Sequence, residues 1–151
     1  MIEIIWTISP AIVLIFIAFP SFKLLFLVDD VPNACITINV TGHQWYWSYK
    51  YPDFVTENGE YLEYDSYILP DSDLDRGQLR KLDTDNVTYV PSNYDIRFLL
   101  ESGDVIHSWA VPAIGAKVDV YPGRVNEISL NVNRDTIMYG QKRNNRTRPK
   151  S

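Results

Sequence analysis

The sequence is poor in the residue types from which most catalytic centres are built. Its 151 residues include one cysteine, Cys35, and two histidines, His43 and His107. A single cysteine excludes an intrachain disulfide and a Cys-x-x-Cys motif. The chain also lacks a Gly-x-Ser-x-Gly elbow and a glycine-rich phosphate loop, so the residues give little support to nucleophilic or nucleotide chemistry. Taken alone, His107 in DVIHSWAVP is more typical of a structural histidine than of a metal ligand.

Charged residues are absent from residues 4–22, IIWTISPAIVLIFIAFPSF. As a helix, this stretch would be about 28 Å long, close to the hydrocarbon thickness of a bilayer. Trp6 lies near one end of it and Lys23 directly after the other, as interfacial anchors do. The alternative is a signal peptide, which would have a basic start and a shorter apolar run, whereas the first charged residue here is Glu3. We therefore expect a retained, single-pass transmembrane helix over residues 1–28.

Basic residues are absent between Asp53 and Asp75, a segment that contains eight carboxylates. Residues 1–141 carry nine basic and nineteen acidic residues, a net charge of −10. This balance argues against nucleic acid and favours a basic partner, although a merely solvated acidic surface is the alternative. The remaining five basic residues lie in residues 142–151, which contain no large apolar side chain. We expect this basic tail to be disordered.

The segment between the helix and the tail shows β patterning. About six short apolar or alternating segments are separated by turn signals such as ENGE, VPSN and PGR. They include CITINV (35–40), QWYWSYKY (44–51), DIRFLL (95–100), KVDVY (117–121) and EISLNV (127–132). This spacing predicts an antiparallel β-sandwich or barrel. From the residues alone, the chain is a membrane-anchored acidic β-domain, a description that a single-pass receptor would also fit.

The segment 44–51 is the most aromatic of these candidate strands. Alternation along a strand places Trp45, Trp47, Tyr49 and Tyr51 on one face. Large rings fill sandwich cores well, so we expect three of the four to belong to the core. Trp45 follows the polar residues at the start of the strand, and we expect it at a boundary.

Several longer segments resemble subunit II of the haem–copper cytochrome c oxidases. They are GHQWYWSY (42–49), DSYILP (65–70), DVIHSWAVPAIGAKVDVYPGR (104–124), MYGQ (138–141) and the helical segment before them. The resemblance runs in order from residue 2 to residue 141. It implies a transmembrane helix over 1–28, followed over 29–141 by an incomplete, mainly β, cupredoxin-like Greek-key sandwich of antiparallel strands.

The resemblance also implies a role and a place in the cell. A subunit II receives electrons from cytochrome c and passes them through a dinuclear copper A centre to subunit I, in an oxidase that reduces oxygen and translocates protons. The expected partners are cytochrome c, subunit I and other oxidase subunits, and the expected metals are copper and a magnesium ion at the subunit interface. The expected location is the mitochondrial inner membrane, with the soluble domain in the intermembrane space.

Individual residues match functional positions of that family. Trp45 resembles the tryptophan through which electrons enter, and His107 resembles the first copper ligand. Glu3 corresponds to the carboxylate at the mouth of a proton channel, and Asp119 to a residue beside the magnesium site. Three acidic residues correspond to docking positions for the lysine-rich face of cytochrome c: Asp65, Asp85 and Asp104.

The sequence departs from the family after MYGQ. The family continues with a Cys-x-x-x-Cys loop, a histidine and a methionine, whereas Lys142 and the basic tail follow here. The family's first transmembrane helix has no counterpart either. Because thiolates hold the dinuclear centre together, His107 alone cannot bind two coppers, and we expect this chain to be inactive by itself. Either a complementary subunit II chain supplies the missing ligands, or the chain is a truncated product without redox activity.

Overall fold

The computed structural model describes residues 2–29 and 34–142, and it divides the chain after residue 32 into two compact units. The first unit contains the helix α1, Ile2–Asp29. The second contains eight β-strands and one turn of 3₁₀ helix, Pro112–Ile114. The predicted basic tail starts at Lys142, which ends the last strand, and its residues 143–151 lie outside the described residues.

Helix α1 is long and apolar enough over Ile2–Val28 to cross a membrane. Twenty-eight helical residues correspond to a length of about 42 Å. Pro10 and Pro20 lie inside the helix, where membrane helices tolerate proline if neighbouring groups satisfy the freed carbonyls. Within its own unit the helix leaves its large apolar side chains exposed, as expected of a helix whose solvent is lipid.

The strands of the second unit form two sheets. The larger sheet has the order β3-β2-β1-β4-β7, and the smaller has the order β6-β5-β8. The strands of the larger sheet are β1 (Ile36–Gly42), β2 (Trp47–Val55), β3 (Tyr61–Ser66), β4 (Asp95–Ser102) and β7 (Asn126–Asn131). Those of the smaller sheet are β5 (His107–Val111), β6 (Ala116–Val120) and β8 (Gln141–Lys142).

The core lies between the two sheets. Ile38, Val40 and Leu100 are fully buried on the larger sheet, and they belong to one cluster with Trp109 and Val120 of the smaller sheet. Burying an aliphatic side chain of this size contributes about 1.5–3 kcal/mol. Strands β1 and β4 alternate between buried and partly buried residues, which is the pattern that the sequence shows there.

The predicted fold class, a mainly β sandwich preceded by one apolar helix, is confirmed. One pairing differs from a purely antiparallel arrangement, because β1 runs parallel to β4, from Ile36 opposite Ile96 to Gly42 opposite Ser102. The chain between them carries β2, β3 and a long irregular connection, which allows it to return in the same direction. Strands β3, β5 and β8 were not predicted, because β3 is a partly exposed edge strand, a histidine occupies the first buried position of β5, and β8 has only two residues.

The prediction for the aromatic segment is confirmed. Strand β2 begins at Trp47, two residues beyond Trp45. Trp47, Tyr49 and Tyr51 pack on or against the core. Trp45 precedes the strand and is 54% exposed. Three of the rings therefore belong to the core of the sandwich, and the ring of Trp45 lies on its surface.

Candidate functional site

Two loops meet at one edge of the larger sheet. The first joins β1 to β2 over residues 43–46, and the second joins β4 to β5 over residues 103–106. Because β1 and β4 are parallel neighbours, both strands end at the same edge, with Gly42 opposite Ser102. The Gly103 N–H donates to the carbonyl of Gly42 at 3.0 Å and joins the loops directly.

The first loop is a tight turn that projects Trp45. The His43 N–H donates to the Tyr46 carbonyl at 3.0 Å, and the Tyr46 N–H donates to the His43 carbonyl at 3.1 Å. These two bonds leave Gln44 and Trp45 at the tip, joined by a cis peptide bond. Trp45 therefore lies at the tip of a turn whose base is closed by two backbone hydrogen bonds.

The carboxylate of Asp104 connects the two loops to His107. His107 Nε2 lies 2.6 Å from Asp104 Oδ1, and the Val105 N–H donates to the same oxygen at 2.6 Å. The Gln44 N–H donates to Oδ2 at 2.6 Å. Partial burial acts to raise the pKa of Asp104, but the bonds from Val105, His107 and Gln44 outweigh it and lower that pKa to about 2. An ionised carboxylate only accepts, so the proton of the imidazole is assigned to Nε2.

That assignment leaves Nδ1 of His107 with its lone pair available. The residue is 3% exposed, and Nδ1 has no hydrogen-bond partner among the described residues. A buried nitrogen without a partner costs about 1–3 kcal/mol, and histidine with one nitrogen held by a carboxylate is a common metal ligand. The Trp47 ring lies at the edge of the imidazole, with centroids 5.8 Å apart at 62°. The arrangement fits His107 as one metal ligand that donates through Nδ1.

A short stack of rings supports the Trp45 turn from the other side. Tyr46 stacks on His43 at 4.9 Å between centroids and on Tyr67 at 4.5 Å. Gly103 leaves room for the His43 ring, since a Cβ on Gly103 would lie 2.6 Å from its Cε1. Reasoning from the sequence missed Tyr46 and Tyr67, and the aromatic residues of GHQWY and DSY are the signal that could have indicated them.

The predicted docking carboxylates Asp65 and Asp85 lie at this stack. Asp65 accepts hydrogen bonds from the hydroxyls of Ser48 and Tyr67. Asp85 accepts from the backbone N–H groups of Tyr67 and Asn86, each at 2.7 Å. Tyr67 thus links both carboxylates to the turn that carries Trp45. The structure brings Trp45, Asp65, Asp85, Asp104 and His107 into one network of contacts.

Two other predicted residues lie outside that network. Asp119 is exposed on β6, opposite Ser108 of β5, and its carbonyl accepts a bond from the Asn126 side chain. Glu3 lies in the first turn of α1, in the other unit. Among the described residues, no group of three or more histidine, cysteine and acidic side chains could hold a metal ion.

Cys35 does not complement His107 as a ligand. It is exposed just before β1, and its N–H donates to the Asp95 carbonyl at 2.9 Å. Gly42, which packs against His107, lies at the other end of that strand, about 20 Å away at the usual rise per residue. The described residues therefore supply one donor and do not fit a dinuclear thiolate-bridged copper centre.

A cleft of about 1080 Å³ opens beside the smaller sheet. Its lining includes Tyr49, Trp109, Ala110 and Tyr139. Within the described part of the chain, β5 pairs with β8 only at Trp109 and Ala110. His107 and Ser108, at the start of β5, therefore pair with β6 alone.

Comparison with known proteins gives one consistent family over most of the chain. Residues 36–145 match the family described as Cytochrome C oxidase subunit II, periplasmic domain. Residues 1–24 match Cytochrome C oxidase subunit II, transmembrane domain. The chain is 55% identical over 141 residues to cytochrome c oxidase subunit 2 of Neurospora crassa and to that of Podospora anserina. These matches cover 93% of this chain and 56% of each relative, so the chain spans a little over half their length.

A solved structure resembles the second unit. It is the periplasmic domain of subunit II of cytochrome oxidase (CoxB) from Bradyrhizobium japonicum, 41% identical, with a TM-score of 0.66. The match covers 79% of this chain and 79% of that domain. The cupredoxin-like character predicted for the sandwich is confirmed by this likeness.

Proposed function

The chain belongs to the cytochrome c oxidase subunit II family, and we propose that it is the part of such a subunit that receives electrons from cytochrome c. Its match to the family's transmembrane domain and the apolar helix α1 make it a membrane-anchored protein. The proposed location is the mitochondrial inner membrane, with the sandwich in the intermembrane space. The proposed partners are cytochrome c, subunit I and other subunits of the oxidase.

The observation that carries the proposal is the connection between an exposed ring and a buried ligand. Trp45 is exposed on a closed turn, where an electron donor can approach it. Asp104 bonds both to that turn and to His107. The carboxylate of Asp104 thus holds the turn of the surface residue Trp45 and the buried ligand His107 together. This arrangement suits electron transfer from the surface to the interior.

The acidic surroundings of Trp45 suit a basic donor. Asp65 and Asp85 lie beside the turn through Tyr67, and residues 53–75 contain no basic side chain. We assign Asp65, Asp85 and Asp104 to docking of cytochrome c. Redox encounters of this kind have small interfaces, and attraction between opposite charges raises the association rate more than the affinity.

A copper A centre, if its ligands were complete, would supply one-electron redox chemistry at this site. His107 is the residue of this chain that fits as its ligand, through the unpartnered Nδ1. The two bridging thiolates are not among the 151 residues, because Cys35 is the only cysteine. In the proposal they come from a complementary subunit II polypeptide. The cleft beside β5 and β8 supports this, because its lining includes Trp47, whose ring lies at the edge of the His107 imidazole.

The second candidate is a subunit II product with no redox activity. The observation that favours it is the single donor: one histidine with an unpartnered nitrogen, and no thiolate near it, cannot hold two copper ions. In that case the fold and the surface would be inherited from the family while the electron pathway would be incomplete.

Two further assignments belong to the oxidase proposal. Glu3, at the start of α1, is proposed to lie at the mouth of a proton channel into subunit I. Asp119, exposed on β6, is proposed to lie beside a magnesium ion at the subunit interface. Both would be completed by side chains of other subunits.

The test is the composition of the native oxidase. The complex is isolated from source membranes by native electrophoresis, its chains are identified by mass spectrometry, and copper is quantified in the same band. We expect the band to contain this chain and a polypeptide that carries the Cys-x-x-x-Cys loop. We also expect more copper in that band than subunit I alone would bind. An oxidase that lacks this chain would overturn the proposal and leave the second candidate.

A further inference from the structure

We propose that Asp104 is a positioning residue, whose carboxylate fixes the Trp45 turn and the His107 imidazole to each other. The geometric part of this inference stands on the described contacts. Its consequence for electron transfer rests on the proposed function. The resemblance assigns Asp104 only to docking, whereas the structure directs both of its oxygens at groups of the same chain.

Both carboxylate oxygens of Asp104 accept hydrogen bonds from groups of the same chain. Oδ1 accepts from the Val105 N–H and from His107 Nε2, and Oδ2 accepts from the Gln44 N–H, all at 2.6 Å. Hydrogen bonds to an ionised carboxylate at such distances are among the stronger ones in proteins. Asp65 accepts from the hydroxyls of Ser48 and Tyr67, and Asp85 accepts from the backbone N–H groups of Tyr67 and Asn86.

The hydrogen bonds of Asp104 join segments that are far apart in the sequence. Gln44 and Asp104 are 60 residues apart, and they lie in two different loops. The bond from Gln44 is made by the residue directly before Trp45, so the tip of the turn is held where the exposed ring is attached. Removing this acceptor would take away the bond at the Gln44 amide while the base of the turn kept its own bonds between His43 and Tyr46.

The contact with Asp104 also selects the tautomer of His107. A carboxylate oxygen against Nε2 requires a proton on Nε2, and in the neutral imidazole this leaves the lone pair on Nδ1. Asp104 therefore determines which nitrogen of the buried ring can bind a metal. The same carboxylate thus controls the ligand nitrogen and the position of the exposed ring.

The substitution Asp104→Asn tests both connections, because asparagine has one acceptor oxygen instead of two. If its oxygen faces His107 and Val105, its NH₂ group opposes the Gln44 N–H and that bond is lost. If its oxygen faces Gln44, its NH₂ group donates to Nε2, and the proton of His107 moves to Nδ1. In the first orientation the bond from Gln44 is lost, and in the second the bond with His107 reverses its direction and changes the tautomer.

The experiment uses the nitrogen-15-labelled full chain in lipid nanodiscs. The ring nitrogen shifts of His107 report the tautomer, and hydrogen exchange of the Gln44 amide reports the tip of the turn. In the unmodified chain we expect the Nε2–H tautomer and a protected Gln44 amide. In Asp104→Asn we expect either the Nδ1–H tautomer or exchange of Gln44 that is at least about tenfold faster.

Glu127→Gln is the matched control, because it removes the same charge from β7, where Glu127 pairs with Arg97, and should change neither signal. Unchanged His107 and Gln44 signals in Asp104→Asn would overturn the inference. If Asp104→Asn does not fold, the unmodified chain still decides, since an Nδ1–H tautomer or an unprotected Gln44 amide in it would also overturn the inference. None of these signals requires copper or an assembled oxidase, so failure here is distinguishable from failure of the proposed function.

Discussion

Gly42 lies against the imidazole of His107 so closely that a Cβ on Gly42 would be 2.7 Å from Cδ2 of the ring. The same Cβ would be 2.9 Å from Cζ3 of Trp47. Both neighbours are held in place, His107 by Asp104 and Trp47 by the core. The absence of a side chain at residue 42 is therefore what allows the candidate ligand to be buried beside the end of β1.

Gly42→Ala should destabilise the sandwich by about 1–3 kcal/mol, because the added methyl group must displace one of two packed rings. Chemical denaturation of the full chain in mild detergent, followed by the near-ultraviolet circular dichroism of its tryptophans, measures the change. Gly140→Ala is the control, since its Cβ would meet only the Ala110 carbonyl at 3.5 Å. Equal stability of Gly42→Ala and the unmodified chain would show that the ring has more room than the structure gives it.

Leu100→Ala should cost about 2–5 kcal/mol of unfolding free energy, because Leu100 is fully buried and its truncation would leave a cavity in the core. The same substitution at Leu62, which is 51% exposed, should cost far less. The difference in denaturation midpoint between the two variants measures the contribution of burial. Similar losses at both residues would contradict the placement of β4 at the centre of the core.

Trp45→Phe should slow electron transfer from reduced cytochrome c while changing the unfolding free energy by no more than about 0.5 kcal/mol. The ring is more than half exposed, and substitutions at such places rarely affect stability strongly. Stopped-flow oxidation of cytochrome c by the oxidase that contains this chain measures the rate. Unchanged turnover at low salt would remove Trp45 from the proposed pathway.

Asp65→Asn should lower the association rate with cytochrome c, and the effect should shrink as salt is added, because exposed charges are screened over about 8 Å at physiological ionic strength. Glu127→Gln removes the same charge from β7, at the opposite edge of the larger sheet from β3, and should leave the rate nearly unchanged. The measurement is the second-order rate constant at several salt concentrations. A loss of equal size at high salt would show that attraction between charges is not its cause.

Local patterns were sufficient for the elements and for part of the site. The uncharged run in residues 4–22 predicts α1, since length and apolarity alone make a helix that can cross a bilayer. Alternation in β1 and β4 predicts which of their residues are buried. The contrast between exposed Trp45 and its three core neighbours was also predictable, because it depends on where the strand begins.

The meeting of the two loops was decided only by the tertiary structure. Nothing in the sequence pattern predicts that β1 runs parallel to β4, yet that pairing brings Gly42 to Ser102 and Gln44 to Asp104. Periodicity reports which face of a strand is buried, whereas the choice of neighbour depends on packing across the whole sheet. The sequence by itself therefore determined the helix, most of the strands and the exposed tryptophan. Only the tertiary structure decided that the carboxylate of Asp104 holds both the Trp45 turn and Nε2 of His107.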